Sequence, residues 1–139
     1  MDKQFSKEEV AEKVLEQYDE EQTRIFYTYV MGGGGNDIHF GIYRDPTDGV
    51  KESANRTTEW MMTQMDMAKE ITKDMHVLDV GSGHGGGSHA MAKKFGCKVT
   101  GINIGPGQNA MNVAKAKELG LGHLIDAVVG NINEPLPEE

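Results

Sequence analysis

The sequence predicts an α/β protein with a three-layer, doubly wound parallel sheet, of which the chain contains the first three strands. Two observations predict this fold. Short apolar runs alternate with helical stretches from residue 75 onward, and a glycine-rich turn separates the first run from the first helix. This order implies parallel pairing through right-handed crossovers. A chain of 139 residues forms at most one domain.

The elements of this unit follow from local signals in the sequence. Strand-length apolar runs are bounded by glycine, helix ends coincide with glycine, and a proline begins the second helix. The predicted elements are a strand at 75–80, a helix at 86–95, a strand at 98–104, a helix from 106 to about 119 and a strand at 124–129. The chain ends soon afterwards, so we expect a sheet truncated after its third strand. The open edge of the first strand then favours self-association.

Residues 1–52 are predicted to form a helical lid segment ahead of the first half of a cofactor-binding domain at 53–139. A helix begins at Ser6 because Glu9 follows three residues later, which is the reciprocal capping arrangement. Apolar or aromatic residues then recur every four positions, at Val10, Val14 and Tyr18, and form one face of this helix.

Three further segments separate this helix from the sheet. A second helical stretch at 19–30 ends at four consecutive glycines, which cost too much entropy to remain helical. Residues 38–43 are predicted to be a short extended segment or turn. A long helix at about 53–72 carries a methionine-rich stripe, which we expect to pack in the core or against a partner.

Composition excludes several classes of protein. The 14 basic and 22 acidic residues give a net charge of −8, which is unsuited to binding nucleic acid. A single cysteine, Cys97, excludes an internal disulfide framework and a cysteine-cluster zinc site. No apolar stretch approaches the roughly 20 residues that span a bilayer, and the first residues lack the apolar core of a secretory signal. We therefore expect a cytoplasmic protein that binds neither nucleic acid nor membranes.

The turn at 81–86 fits the pattern G-x-G-x-x-G between a strand and a helix, which is typical of nucleotide-binding loops. Asp79 precedes this turn at the carboxyl end of the strand. A carboxylate there repels the pyrophosphate of a dinucleotide but attracts a ligand that carries a sulfonium and an α-ammonium group. The sequence therefore predicts S-adenosylmethionine as cofactor. The alternative is that Asp79 only caps the following helix.

Other polar groups follow the second and third strands. Asn103, at the end of the second strand, can bond two ribose hydroxyls as donor and acceptor. Gln108 can reach the ribose from the next helix, Ile104 flanks the adenine, and residues 131–132 lie where they meet the adenine edge. The residues predicted to bind the cofactor are Asp79, Gly81, Ser82, Gly83, Asn103, Ile104, Gln108, Asn131 and Ile132.

Residues 77–86, 99–104 and 130–131, with Leu136-Pro137, resemble the class I S-adenosylmethionine-dependent methyltransferases. The front segments 26–27 and 37–43 are similar to those of the glycine-sarcosine and sarcosine-dimethylglycine N-methyltransferases, which make glycine betaine. In that family the second strand also ends in Asn and continues to a Gln. One departure is Met31 with a long glycine run, where the family tends to carry Trp-Gly.

The resemblance implies a Rossmann-like methyltransferase fold and N-methylation of a small amine. It makes Tyr18, His39 and Tyr43 the candidates for binding the methyl acceptor, with His84 as a lid over the methionine part of the cofactor. Three alternatives stay open: a lipid or other small-molecule methyltransferase, a nicotinamide-dependent oxidoreductase, and a non-catalytic fragment that pairs its open sheet edge with another chain.

Overall fold

The computed structural model describes residues 5–135, so the resemblance at Leu136-Pro137 lies outside the described residues. These residues form five α-helices, one π-helical turn and three strands. In chain order the elements are α1 (Lys7–Tyr18), α2 (Glu21–Phe26), the π turn (Tyr27–Met31), α3 (Val50–Ala68), β1 (His76–Val80), α4 (Gly86–Phe95), β2 (Lys98–Asn103), α5 (Pro106–Glu118) and β3 (Ile125–Val129).

The three strands form one parallel sheet in the order β1-β2-β3, which confirms the predicted pairing. His76 lies opposite Lys98, and Val99 lies opposite Ile125. Helices α4 and α5 follow β1 and β2 as crossovers, and both pack on the sheet. The carboxyl ends of all three strands therefore meet at one edge, from which the connecting loops emerge.

Glycine and proline set the helix bounds where the sequence predicts them. Gly85 precedes α4 with a φ of 85°, and Gly96 ends that helix with a φ of 69°. Both angles lie in the left-handed region, which glycine adopts at little cost. Pro106 is the first residue of α5, where its missing N–H has no partner to lose.

The core lies between the sheet and its helices. It consists of Met62, Met91, Ala92, Cys97, Val99, Ala116 and Ile125. Only part of the methionine stripe of α3 joins it, because Met62 is buried whereas Met61 and Met65 remain exposed. The helix also begins three residues before the predicted start and ends at Ala68. The carboxylate of Asp66 accepts a hydrogen bond from the Ile71 N–H beyond that end, at 3.0 Å.

The N-terminal region is helical up to its glycine run, as predicted. The capping box is present: the Glu9 N–H donates to Ser6 Oγ at 3.2 Å, and the Ser6 N–H donates to the Glu9 carboxylate at 2.8 Å. The second helical stretch divides into α2 and the π turn. Residues 38–43 contain no strand and lie along α3, where the Ile42 N–H donates to the Ser53 carbonyl at 3.0 Å.

The outer side of β1 is open to solvent. Among the described residues β1 pairs only with β2, and the side chains of Leu78 and Val80 are 48% and 50% exposed. Within the part of the chain that the structure describes, no helix has both the length and the apolar character needed to cross a membrane.

Candidate functional site

A cavity of about 440 Å³ lies at the carboxyl ends of the strands, beneath α1. Its volume falls within the range of small-molecule sites. One wall is the apolar side of α1, and the other is formed by strand ends and the loops after them. The lining residues are Phe5, Ser6, Lys7, Val10, Ala11, Val14, Val80, Gly81, Ile102, Asn103, Ile104, Gly130, Asn131, Ile132 and Asn133.

Five of the predicted cofactor residues are brought together in this cavity: Gly81, Asn103, Ile104, Asn131 and Ile132. They come from the ends of β1, β2 and β3, which are far apart in sequence but adjacent in the sheet. The described lining contains apolar groups, amides, one serine and one lysine, but no carboxylate. Such a lining suits an uncharged, partly polar and partly aromatic group better than a cation.

Asn103 is held in place by its neighbours on α5. Its Nδ2 donates to Gln108 Oε1 at 2.8 Å, and its carbonyl accepts from Asn109 Nδ2 at 3.3 Å and from the Gly130 N–H at 3.1 Å. Gln108 is itself buried and does not line the cavity. The structure thus gives Gln108 a supporting position behind Asn103.

Only the first glycine of the turn faces the cavity. Gly81 has a φ of 73°, and its N–H donates to the Ile102 carbonyl at 2.8 Å. Gly83 is buried, and a Cβ placed there would lie 3.5 Å from Ile38 Cδ1. Ser82 turns inward, because a Cβ on Gly101 would lie 2.6 Å from its Oγ. The second half of the turn is therefore covered by the chain's own residues.

Asp79 does not line this cavity. Its Oδ2 accepts a hydrogen bond from Ser88 Oγ on α4 at 2.6 Å. Side chains alternate along a strand, so Asp79 and Val77 share the side of the sheet that faces α3 and α4. There Asp79 borders a second, mostly apolar cavity of about 160 Å³, which Thr58 and Met62 also line.

Asp37 is a buried carboxylate that sequence reasoning missed. Only 8% of the residue is exposed, and its Oδ1 has no hydrogen-bond partner within residues 5–135. Burial raises the pKa of this carboxyl above its usual value. A Cβ on Gly86, the first residue of α4, would collide with Oδ1. No local pattern in the sequence marks Asp37, because its burial depends on contact with a helix that begins 49 residues later.

His84 lies inside the turn and is 2% exposed. Neither ring nitrogen has a hydrogen-bond partner in the described part of the chain. Burial lowers the pKa of His84, and the nearby Arg24 guanidinium lowers it further. The imidazole is therefore neutral near pH 7, and His84 does not line the cavity that Gly81 lines.

The three candidates for binding a methyl acceptor lie apart from the larger cavity. Tyr18 stacks on Tyr27 with ring centroids 5.1 Å apart, and the hydrogen bond to Tyr27 raises the pKa of Tyr18. His39 places Nε2 at 3.0 Å from the Ala54 carbonyl on α3. Tyr43 is exposed. None of the three lines the larger cavity or the smaller one beside Asp79.

Comparison with known proteins points to methyltransferases. Residues 78–139 match the family model described as a methyltransferase domain. The chain is 33% identical over 121 residues to the sarcosine/dimethylglycine N-methyltransferase of Halorhodospira halochloris, which covers 87% of this chain and 42% of that protein. It is 35% identical over 120 residues to the glycine/sarcosine/dimethylglycine N-methyltransferase of Actinopolyspora halophila, which covers 86% of this chain and 20% of that protein.

Two solved structures overlap most of the chain. One, from Galdieria sulphuraria, was solved as a candidate sarcosine dimethylglycine methyltransferase; it has a TM-score of 0.74 and 34% identity, over 84% of this chain and 43% of that one. The other is the [4+2]-cyclase SpnF, with a TM-score of 0.75 and 26% identity, over 92% of this chain and 44% of that one. The chain thus spans less than half the length of these four proteins. The matches confirm the resemblance and the Rossmann-like methyltransferase fold.

Proposed function

We propose, from the methyltransferase domain that residues 78–139 carry, that this chain is the cofactor-binding part of an S-adenosylmethionine-dependent methyltransferase acting on a small amine. The observation that carries the proposal is the 440 Å³ cavity, which collects Gly81, Asn103 and Asn131 from three strand ends. Relatives named as sarcosine/dimethylglycine and glycine/sarcosine/dimethylglycine N-methyltransferases support glycine, sarcosine or dimethylglycine as the acceptor, toward glycine betaine.

The lining supports binding of the nucleoside part of the cofactor in this cavity. Asn103, fixed by Gln108, would hold the ribose hydroxyls, while Ile104, Asn131 and Ile132 would contact the adenine. The apolar side of α1 would exclude water from the ring. S-adenosylmethionine supplies a methyl group already activated by the adjacent sulfonium, so the protein's task is to position and desolvate the reactants.

The charged part of the cofactor would lie beyond Gly81, toward the first turn of α4. Asp79 and Asp37 both approach that turn, at Gly87 and Gly86 respectively. Asp79 would then act on the cation through the field of its carboxylate rather than as part of the larger cavity's wall. Ser82 and Gly83 would shape the turn without direct contact with the nucleoside.

Isothermal titration of this chain with S-adenosylhomocysteine tests the proposal. We expect binding, and we expect Asn103→Ala to weaken it about fivefold to tenfold, since a hydrogen bond contributes about 1 kcal/mol. Asn55→Ala, at an exposed position on α3, is the matched control and should bind as the wild type does. Absence of binding, or binding of NADH with greater affinity, would refute the assignment.

The role of Asp79 is tested by comparing two ligands that differ in charge. The variant Asp79→Asn should lose more affinity for S-adenosylmethionine than for S-adenosylhomocysteine, because only the former carries a sulfonium. Equal losses for both ligands would show that Asp79 merely supports α4 through Ser88.

Tyr18, His39 and Tyr43 remain the proposed residues for the acceptor. His39 is tied to α3, so its binding role would require that hydrogen bond to be exchanged for one to a carboxylate. Titration of dimethylglycine into the chain saturated with S-adenosylhomocysteine measures this directly. Binding that survives His39→Gln and Tyr43→Phe would place the acceptor elsewhere.

Two other readings have specific support. The SpnF match shows that proteins with this fold include a cyclase, so the reaction is not fixed by the fold. The exposed Leu78 on β1, which pairs only with β2 among the described residues, supports self-association through β1. Light scattering after size exclusion tests the latter: Leu78→Lys should shift oligomers toward monomer, and a wild-type chain that is already monomeric would eliminate this reading.

A further inference from the structure

We infer that Asp19 is a positioning residue that fastens the lid segment to the N-terminus of α5 and thereby sets both walls of the nucleoside cavity. The inference rests on the proposed function, because it concerns the same cavity. It adds a residue that lies outside both the glycine turn and the cavity lining.

The Asp19 carboxylate bonds two main-chain amides at the start of α5. Its Oδ2 accepts from the Gly107 N–H at 3.1 Å, and its Oδ1 accepts from the Gln108 N–H at 2.9 Å. These donors belong to the first turn of the helix, where N–H groups have no partner within the helix. Asp19 thus caps α5 from 88 residues away. Its negative charge also lies at the positive end of the helix dipole.

Arg24 completes this contact from α2. Its Nη1 donates to the Asp19 carbonyl and lies 3.8 Å from Asp19 Oδ1. The side chains of both residues are mostly buried, with 24% of Arg24 and 15% of Asp19 exposed. The carboxylate is therefore held between a guanidinium on its own segment and two amides of α5.

The sequence before α5 provides the space for this contact. A Cβ on Gly105 would lie 2.6 Å from Asp19 Oδ1, and a Cβ on Gly107 would collide with Arg24 Nη1. Neither glycine has a positive φ, so backbone conformation does not require glycine at either position. The close approach of Asp19 and Arg24 gives a steric reason for both.

The contact joins two elements that each form or support a wall of the cavity. On one side Asp19 is the residue that ends α1, and its N–H donates to the Leu15 carbonyl at 2.8 Å; α1 is the apolar wall. On the other side the capped amide belongs to Gln108, whose side chain orients Asn103 at 2.8 Å. Loss of the Asp19 carboxylate should therefore loosen α1 and release Asn103 together.

The test compares the variants Asp19→Ala and Asp19→Asn, the latter keeping one acceptor oxygen, with Glu20→Gln as the control. Glu20 is the adjacent exposed carboxylate and makes no side-chain capping bond in the structure. Amide exchange by NMR should increase about fivefold at Gly107 and Gln108 in Asp19→Ala, the size expected for a lost helix cap. It should also increase along α1, and the affinity for S-adenosylhomocysteine should fall about fivefold, with smaller changes in Asp19→Asn.

A second variant tests the same contact without removing a polar group. Gly105→Ala should displace the carboxylate and reproduce the exchange changes, whereas its effect on affinity also includes the approach of the new Cβ to Gln108 Oε1 at 3.1 Å. Gly49→Ala is its matched control, because Gly49 precedes α3 in a similar extended conformation with open space around it.

Unchanged exchange at Gly107, Gln108 and α1 in both Asp19→Ala and Gly105→Ala would overturn the inference. The same follows if exchange increases while ligand affinity stays constant, since Asp19 would then only stabilise the helix. If the wild-type chain binds no S-adenosylhomocysteine, the proposed function fails, whereas the exchange data still decide whether the contact exists.

Discussion

The two connections that lead from a strand into a helix of this sheet are held in different ways. Between β1 and α4 the chain needs left-handed glycines at 81, 83 and 85. Between β2 and α5, Gly105 has a φ of −86°, and no residue of the connection has a positive φ. The first connection is shaped by its own backbone, whereas the second is held by the carboxylate of Asp19, at the end of α1.

The helix ends differ in the same way. At α5, the Asp19 carboxylate accepts hydrogen bonds from two main-chain N–H groups. At α4, Asp37 comes close to Gly86 but its Oδ1 makes no hydrogen bond to any described residue. Two acids thus approach two helix N-termini: both oxygens of Asp19 accept amide hydrogen bonds, whereas Asp37 bonds to Thr58 and keeps one buried oxygen without a partner among the described residues. The difference predicts stabilities that respond in opposite directions to the loss of each charge.

The largest effect is expected at the first connection, for Gly85→Ala. The left-handed backbone costs an alanine about 1 kcal/mol, and its Cβ would collide with the buried Asn112 side chain, so we expect about 3 kcal/mol of lost stability in total. Urea unfolding measures it. Gly120→Ala is the control, because Gly120 has a φ of 74° with open space around it. This variant should lose only the stability that the left-handed backbone costs an alanine.

The second effect is a gain in stability from Asp37→Asn. Because the pKa of Asp37 is raised in the folded protein, this carboxyl favours folding below its unfolded pKa, and stability is lost as pH rises through the folded value. The variant should be about 1 kcal/mol more stable near pH 7, because it removes a buried charge and keeps an oxygen for the hydrogen bond with Thr58. It should equal the wild type near pH 3, and a loss of stability at pH 7 would show that the folded protein favours the charged form of Asp37.

The third effect is a weaker dependence of folding stability on pH in the variant His84→Gln. The pKa of His84 is lowered in the folded protein, so its contribution is present above the unfolded value of about 6.5 and is lost as pH falls through the folded value. At pH 6 this loss is at most about 1 kcal/mol. Thermal unfolding of wild type and variant between pH 5 and 8 should show it.

The smallest effect is expected for Ser6→Ala, which removes the cap of α1. Exposed caps contribute at the low end of their range, so we expect about 0.5 kcal/mol. Faster amide exchange in the first turn of α1 should reveal it, and Ser6→Asp should restore protection. An effect as large as that of Gly85→Ala would mean that α1 is held by its cap rather than by Asp19.

The strands and the two crossover helices could be predicted closely, because their limits are set by neighbouring residues. Gly96 ends α4, Pro106 begins α5, and apolar runs of strand length fill the sheet. The start of α3 and the π turn were predicted less well. The start of α3 depends on how residues 38–49 pack against the helix. The π turn depends on a change in hydrogen-bond spacing within a single helical turn.

The candidate site was predicted in part. The ends of β2 and β3 both line the cavity, because in a parallel sheet strand ends of like direction converge, and their role in binding the cofactor stays a prediction. Asp79 was predicted at the mouth of the turn but faces α3, because strand alternation, not proximity in sequence, decides the direction of its side chain.

The sequence by itself determined the parallel sheet, the glycine turn and the methyltransferase resemblance, since each depends on conformations and periodicities that a few adjacent residues impose. Only the tertiary structure decided which carboxylate faces which helix. Asp19 and Gln108 are 89 residues apart, and no local preference of either residue specifies a hydrogen bond that exists only after the end of α1 packs against α5.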